Sequence, residues 1–195
     1  NETNAKNISP TPSTGLVGLR ENLHHTPHSY FECENQKVLL IRFRGVESSG
    51  YLKEIKEKSH HFNGSLDVAK VGMFISRVRE LVLQSDPVST RVVGKFGLPY
   101  ALARMCIGGE QPIGFQGNSQ IHGRTNSQEN FYEVVLAYFP KDVAKAETYL
   151  QDVEFEHAWI GEVKGRDLIL SNDFKVSVDD INKSYSGEKE KRFAD

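Results

Sequence analysis

Residues 38–46, Val-Leu-Leu-Ile-Arg-Phe-Arg-Gly-Val, form a run of aliphatic, β-branched and aromatic side chains that predicts a strand. Beyond it, Tyr51, Leu52 and Ile55 give residues 49–58 the apolar side of a short helix. Asn63-Gly64 marks a turn, and a longer amphipathic helix is predicted over 66–83. There Val68, Val71, Phe74, Ile75, Val78, Leu81 and Val82 recur at helical spacing. Asp86-Pro87 ends that pattern, and residues 88–93 read as a second strand. A helix over 98–106 stops at Gly108-Gly109. Residues 109–130 are rich in Gly, Gln, Asn and Ser and predict a long loop of the kind that often carries function. A strand over 131–139, a helix over 141–150, an alternating strand from Val153 to Val163 and a strand over 167–170 complete the folded part. Helices lie early and strands late, which favours an α+β fold over a repeating parallel sheet. The polar stretch 1–15, with Pro10 and Pro12, is expected to be disordered. Residues 16–177 form one domain, and 178–195, ending in Glu188-Lys189-Glu190-Lys191-Arg192, read as a polar tail or frayed helix.

Composition narrows the functional classes. A chain of 195 residues with 38% hydrophobic and 26% charged content is long enough for one sizeable core. A net charge of -2 gives no electrostatic case for nucleic acid or an acidic membrane as partner. No apolar run reaches bilayer-spanning length, and no signal peptide is visible. The chain opens without methionine, so it reads as a segment of a longer polypeptide. Cys33 and Cys106 form no CxxC pair, which argues against structural zinc and a disulfide framework. His24, His25, His28 and the pair His60-His61 do not present a second ligand at i, i+4 spacing on a convincing helix, so no metal site is predicted.

Three polar positions stand out on strands. Arg42 and Arg44, two apart, share one face of an apolar strand. A guanidinium there is costly unless it meets an anion, although two solvated arginines on an edge strand would look the same. Ser89-Thr90 is common strand chemistry. Glu154 and Glu156 share a face in Val-Glu-Phe-Glu-His-Ala-Trp, where they are either two solvated carboxylates or an acidic pair able to stabilise a cationic transition state.

In their order, Arg, Ser-Thr, Glu-x-Glu, these positions resemble the mono-ADP-ribosyltransferases of the arginine–serine–glutamate, cholera- and pertussis-like toxin branch. Phe43-Arg44-Gly45-Val46, Val88-Ser89-Thr90 and Glu154-Phe155-Glu156 carry the resemblance, over about residues 38–170. It implies a split β-sandwich core, NAD as cofactor, and transfer of ADP-ribose to a host protein. Glu156 would stabilise the ribose cation, Ser89 would orient Glu156, and Arg44 or Arg42, with Thr90, would hold the cofactor. Glu154 would face the acceptor, with arginine the first acceptor to expect. The implied setting is a toxin secreted or translocated into a target cell's cytosol. Arg91 departs from the family's Ser-Thr-Ser motif.

Two other readings compete. Ile160-Gly161-Glu162-Val163 and the turn Phe96-Gly97-Leu98 resemble segments of the ATP-binding C-terminal domain of the aminoimidazole-ribotide-synthetase-like family. Val93-Gly94-Lys95 stands where that family has acidic and glycine positions. The other is a non-enzymatic interaction module using the two arginines and the long loop.

Overall fold

Val38, Leu39, Leu40 and Ile41 are all buried, so both faces of their strand are covered, and that is why its apolar run is continuous. The computed structural model describes residues 2–3, 6–7, 26–43, 47–48, 68–94, 96–121, 129–130, 132–151, 155–171 and 174–192. Among them seven strands make one sheet: β1 (Lys37–Arg42), β2 (Ser89–Val93), β3 (Phe115–Gly117), β4 (Glu133–Tyr138), β5 (Glu156–Val163), β6 (Asp167–Ser171) and β7 (Phe174–Ser177). Their spatial order is β7-β6-β3-β5-β1-β4-β2, antiparallel except for the β6–β3 pair.

Helices cover the two faces. Helix α1 (Val68–Ser85) buries Val71, Phe74, Leu81 and Ser85, one stripe at helical spacing. With α3 (Val143–Leu150) it packs on Leu39, Ile41, Leu136 and Tyr138. On the other face α2 (Gly97–Ile107) buries Leu98, Ala101, Leu102, Met105 and Cys106 against Val38, Leu40, Val135, Ala137 and Ile160. Helix α4 (Val178–Arg192) lies beside α2, anchored by buried Val178 and by Ile181. None of the described helices is long and apolar enough to cross a membrane.

The order of elements is α+β, but the split β-sandwich implied by the ADP-ribosyltransferase resemblance is not present. Among the described residues, the seven-stranded mixed sheet carries helices on both faces instead. Within 109–130, the described residues 109–121 and 129–130 hold more than a loop. They contain β3, a single 3-10 turn at Ser119–Ile121, and a short strand Glu129–Asn130 paired with Glu47–Ser48. A three-residue strand is too short for alternation to reveal it, and its close packing depends on Gly114 and Gly117 rather than on apolar bulk. The hairpin strand β7 and helix α4 occupy the stretch read as the domain's end and polar tail. Of residues 1–15 only the paired Glu2–Thr3 and Lys6–Asn7 lie within the described part, and the helix predicted over 49–58 lies outside it.

Burial leaves a signature in alkaline stability. The Tyr138 hydroxyl lies 2.9 Å from Ser85 Oγ in the α1–sheet core, and burial pushes its pKa up to about 12. Burial also pushes the Cys106 thiol to about 12. Both groups ionise more easily in the unfolded chain, so their contribution to stability is complete below the unfolded values and is lost as pH rises toward 12. Urea unfolding at stepped pH should therefore show stability falling above about pH 9. Tyr138→Phe should flatten the part of that slope above about pH 10. An unchanged slope in the variant would show that Tyr138 is not protected in this way.

Candidate functional site

Strand register gathers charge at one end of the sheet. Arg42, the last residue of β1, lies opposite Glu133, the first of β4, and on its other side opposite Glu156, the first of β5. Val93, the last of β2, is also in register with Glu133. Alternation places Arg42 with Leu40, Glu133 with Val135, and Glu156 with Ala158, all on the face covered by α2.

Arg42 Nε donates to Glu133 Oε1. The Glu133 side chain is fully buried and that of Arg42 is 20% exposed. Glu133 Oε2 is buried with no hydrogen-bond partner. One arginine thus faces two carboxylates, one of which has an oxygen left unsatisfied.

The same end of the sheet carries the start of α2. The chain leaves β2 at Val93 and turns through Gly94 to Phe96 and Gly97, with Gly97 N–H donating to the Gly94 carbonyl at 3.0 Å. Phe96 and Gly97 are both left-handed, at φ 78° and 73°. For phenylalanine that conformation is strained and persists only where the surroundings impose it. No side chain caps the first turn of α2. Gly97 N–H is taken by its bond to Gly94 and Pro99 has no N–H, so of the first three residues of α2 only Leu98 has an N–H left for an anion.

The predicted site residues do not all meet there. Arg42 and Glu156 do. Arg44 and Glu154 lie outside the described residues. Ser89 is fully buried on the edge strand, where its Oγ donates to the Tyr30 carbonyl at 2.6 Å. Its register runs through Ala137 and Val38 to Gly161, the opposite end of the sheet from Glu156. Two strands intervene, a lateral separation of about 14 Å. Ser89 is not in a position to orient Glu156. Thr90 is tied by its backbone N–H to the His28 carbonyl at 2.8 Å.

Glu133 escaped the sequence reading. The available signal was a single acid heading an otherwise apolar strand, Glu-Val-Val-Leu-Ala-Tyr, with an arginine as its counterpart in the other central strand. A second cleft, of about 550 Å³, opens at the far end of the sheet between Lys37, Gln116, Asn118, Trp159 and Glu162. Its charges satisfy one another: Lys37 Nζ lies 2.6 Å from Glu162, whose carboxyl it holds below the usual range.

No protein-family model matches the chain. Curated sequences do. It is 29% identical over 188 residues to phosphoribosylformylglycinamidine synthase subunit PurL of a Nitratiruptor species, covering 95% of this chain and 25% of that protein. The PurL subunit of Methanobrevibacter smithii is 26% identical over 209 residues, covering the whole chain and 28% of the relative. That of Anaeromyxobacter dehalogenans is 34% identical over 114 residues, covering 57% of the chain and 15% of the relative. Among solved structures, Thermotoga maritima PurL complexed with ADP superposes with a TM-score of 0.60 at 12% identity, over 82% of this chain and 27% of that one. The same protein complexed with FGAR gives 0.62, over 82% and 30%.

The fold is one found within PurL. The chain spans about a quarter of the length of the PurL subunits that it matches along most of its sequence. These findings overturn the ADP-ribosyltransferase resemblance. NAD as cofactor, a host protein as acceptor, the toxin role and the secreted or translocated setting all rested on that resemblance and fall with it. Arg, Ser-Thr and Glu-x-Glu are short strand motifs, and their order along the chain did not translate into a shared site.

Proposed function

We propose that this chain is a PurL-like, ATP-binding domain that forms one wall of a nucleotide site, completed by a further domain. The similarity to PurL along 95% of the chain is the observation that carries this reading. The Thermotoga protein is described in complex with ADP, ATP and AMPPCP.

The corner beside α2 supplies suitable chemistry. The Leu98 N–H in the uncapped first turn of α2, beside the glycine turn, offers a backbone donor for a phosphate. A side chain at Gly94 would meet nothing within 4 Å, so the approach is open. The buried Glu133 carboxylate, with Oε2 unsatisfied, would repel a bare triphosphate, which is therefore best accommodated as its magnesium complex. Val93 occupies a position where the family resemblance expects an acid. Glu133, in register with it on the neighbouring strand, brings a carboxylate to the same place.

Equilibrium titration of the full chain with magnesium–ATP and with NAD tests the reading. The expected result is weak, saturable binding of ATP, because one wall of the site is missing, and none of NAD. Saturable NAD binding without ATP binding would overturn it.

A further inference from the structure

Arg91, which breaks the Ser-Thr-Ser pattern, points to a second site. It lies on β2, the edge strand, and alternation places it with Ser89 and Val93 on the face covered by α2. Arg104 on α2 is its charged neighbour, and Tyr100, one turn earlier on α2, and Tyr185 on α4 also lie within electrostatic reach of Arg91. The Arg104 guanidinium stacks over the Tyr185 ring at 4.0 Å, and its Nε is buried without a hydrogen-bond partner. Arg91 donates a hydrogen bond from Nη1 to the Ser29 carbonyl at 3.0 Å. Among the described residues, no carboxylate forms an ion pair with either arginine. Burial and the Arg104 charge both push the Arg91 pKa down, the signature of two cations held together partly out of water.

Two half-buried guanidiniums that repel each other and have no acidic partner among the described residues carry a cost that a bound dianion would remove. Each guanidinium presents five N–H donors in a planar fork suited to phosphate oxygens. A carboxylate would balance one of the two charges, whereas a phosphate monoester carries about -1.5 to -2 near neutral pH and balances both. Two neighbouring arginines are enough for a single phosphate and too few to track a nucleic-acid backbone. Tyr100 is 41% exposed, so the flank is open to solvent. It is continuous with the α2 turn, since the Tyr100 ring packs edge-on against Phe96 with centroids 5.3 Å apart.

We propose that Arg91 and Arg104, with Tyr100 and Tyr185 beside them, bind the phosphate group of a small phosphorylated ligand at the edge of the sheet. This site uses none of the Arg42, Glu133 or Glu156 side chains and stands whether or not the corner they share binds ATP.

The test is an NMR titration of the full 195-residue chain, following arginine side-chain Nε–H signals. The probes are inorganic phosphate and a simple sugar phosphate, at constant ionic strength against chloride. Saturable shifts of the Arg91 and Arg104 signals are expected with both phosphates and not with chloride. A response to inorganic phosphate alone would identify the free anion, rather than a phosphorylated ligand, as the occupant and would overturn the proposal in that form. Arg104→Gln and Arg91→Gln should each weaken binding at least tenfold with unchanged circular dichroism. Should Arg104→Gln fail to fold, Arg91→Gln on the edge strand carries the same test. Chloride producing the same shifts, or Arg91→Gln binding phosphate like the parent chain, would refute the site.

Discussion

Replacing Arg42 by alanine should destabilise the fold by about 3–5 kcal/mol, because it leaves the Glu133 carboxylate buried and uncompensated. Glu133 is fully buried and Arg42 Nε is the donor to its Oε1, so water cannot readily replace the lost partner. Glu133→Gln should cost less. The amide keeps an oxygen for Arg42 Nε while removing the buried negative charge. The double change Arg42→Met with Glu133→Leu should recover most of the stability, since an apolar pair of similar volume is often as stable as a buried ion pair. The proposed role gives this cycle a second readout. A double variant that is stable but has lost ATP binding would show that the pair is kept for the site, not for the fold. Chemical denaturation of the four proteins measures the coupling. An Arg42→Ala protein within about 1 kcal/mol of the parent would show that the pair has the small value of a surface salt bridge.

Gly161→Ala is expected to be nearly as damaging, for a steric reason. A Cβ there would stand 2.2 Å from the Gln116 carbonyl oxygen and 2.9 Å from the Gly117 Cα, both backbone atoms that cannot rotate aside. Gly161 pairs with Val38 on one side and Gly117 on the other, next to the point where the β1–β5 register shifts between Val38 and Leu39. Any relief would have to separate β3 from β5 and disturb the core around Phe115, whose ring atom Cζ is itself 2.7 Å from the added carbon. A loss of about 3 kcal/mol, at the upper end of the usual overpacking cost, is expected from thermal or urea unfolding. Gly165→Ala is the matched control. Gly165 is left-handed at φ 67° with nothing within 4 Å of an added Cβ, so only the conformational cost of about 1–2 kcal/mol applies. Equal losses at the two positions would remove the case for close packing at Gly161.

The contrast between these residues shows what was legible in the sequence. The apolar periodicity of 66–83 and 98–106 located α1 and α2 to within about two residues, because burial on one helical stripe writes itself directly into residue type. Val38 to Ile41 announced a central strand for the same reason. Strand β3 did not, because Phe115 is its only fully buried side chain and close approach there depends on glycine, which carries no hydrophobic signal. The site was only half visible. Arg42 drew attention as a charge within an apolar strand, but its partner Glu133 lies 91 positions away and only strand register identifies it. Glu156 was selected for its place in a Glu-x-Glu motif, whereas the structure puts it opposite Arg42 and far from Ser89. A linear order of short motifs could not distinguish these arrangements. Sequence similarity along almost the whole chain could.

A nucleotide wall beside α2, as proposed, can be mapped by photolabelling with an ATP analogue that carries an azidoanilide on its γ-phosphate, in the presence of magnesium, followed by peptide mapping. Label is predicted on peptides spanning Val93–Leu98 or Arg42, competed by ATP and not by NAD, and reduced in Arg42→Met with Glu133→Leu. Label that ATP does not compete, or that falls only at the far cleft around Lys37 and Lys164, would contradict it.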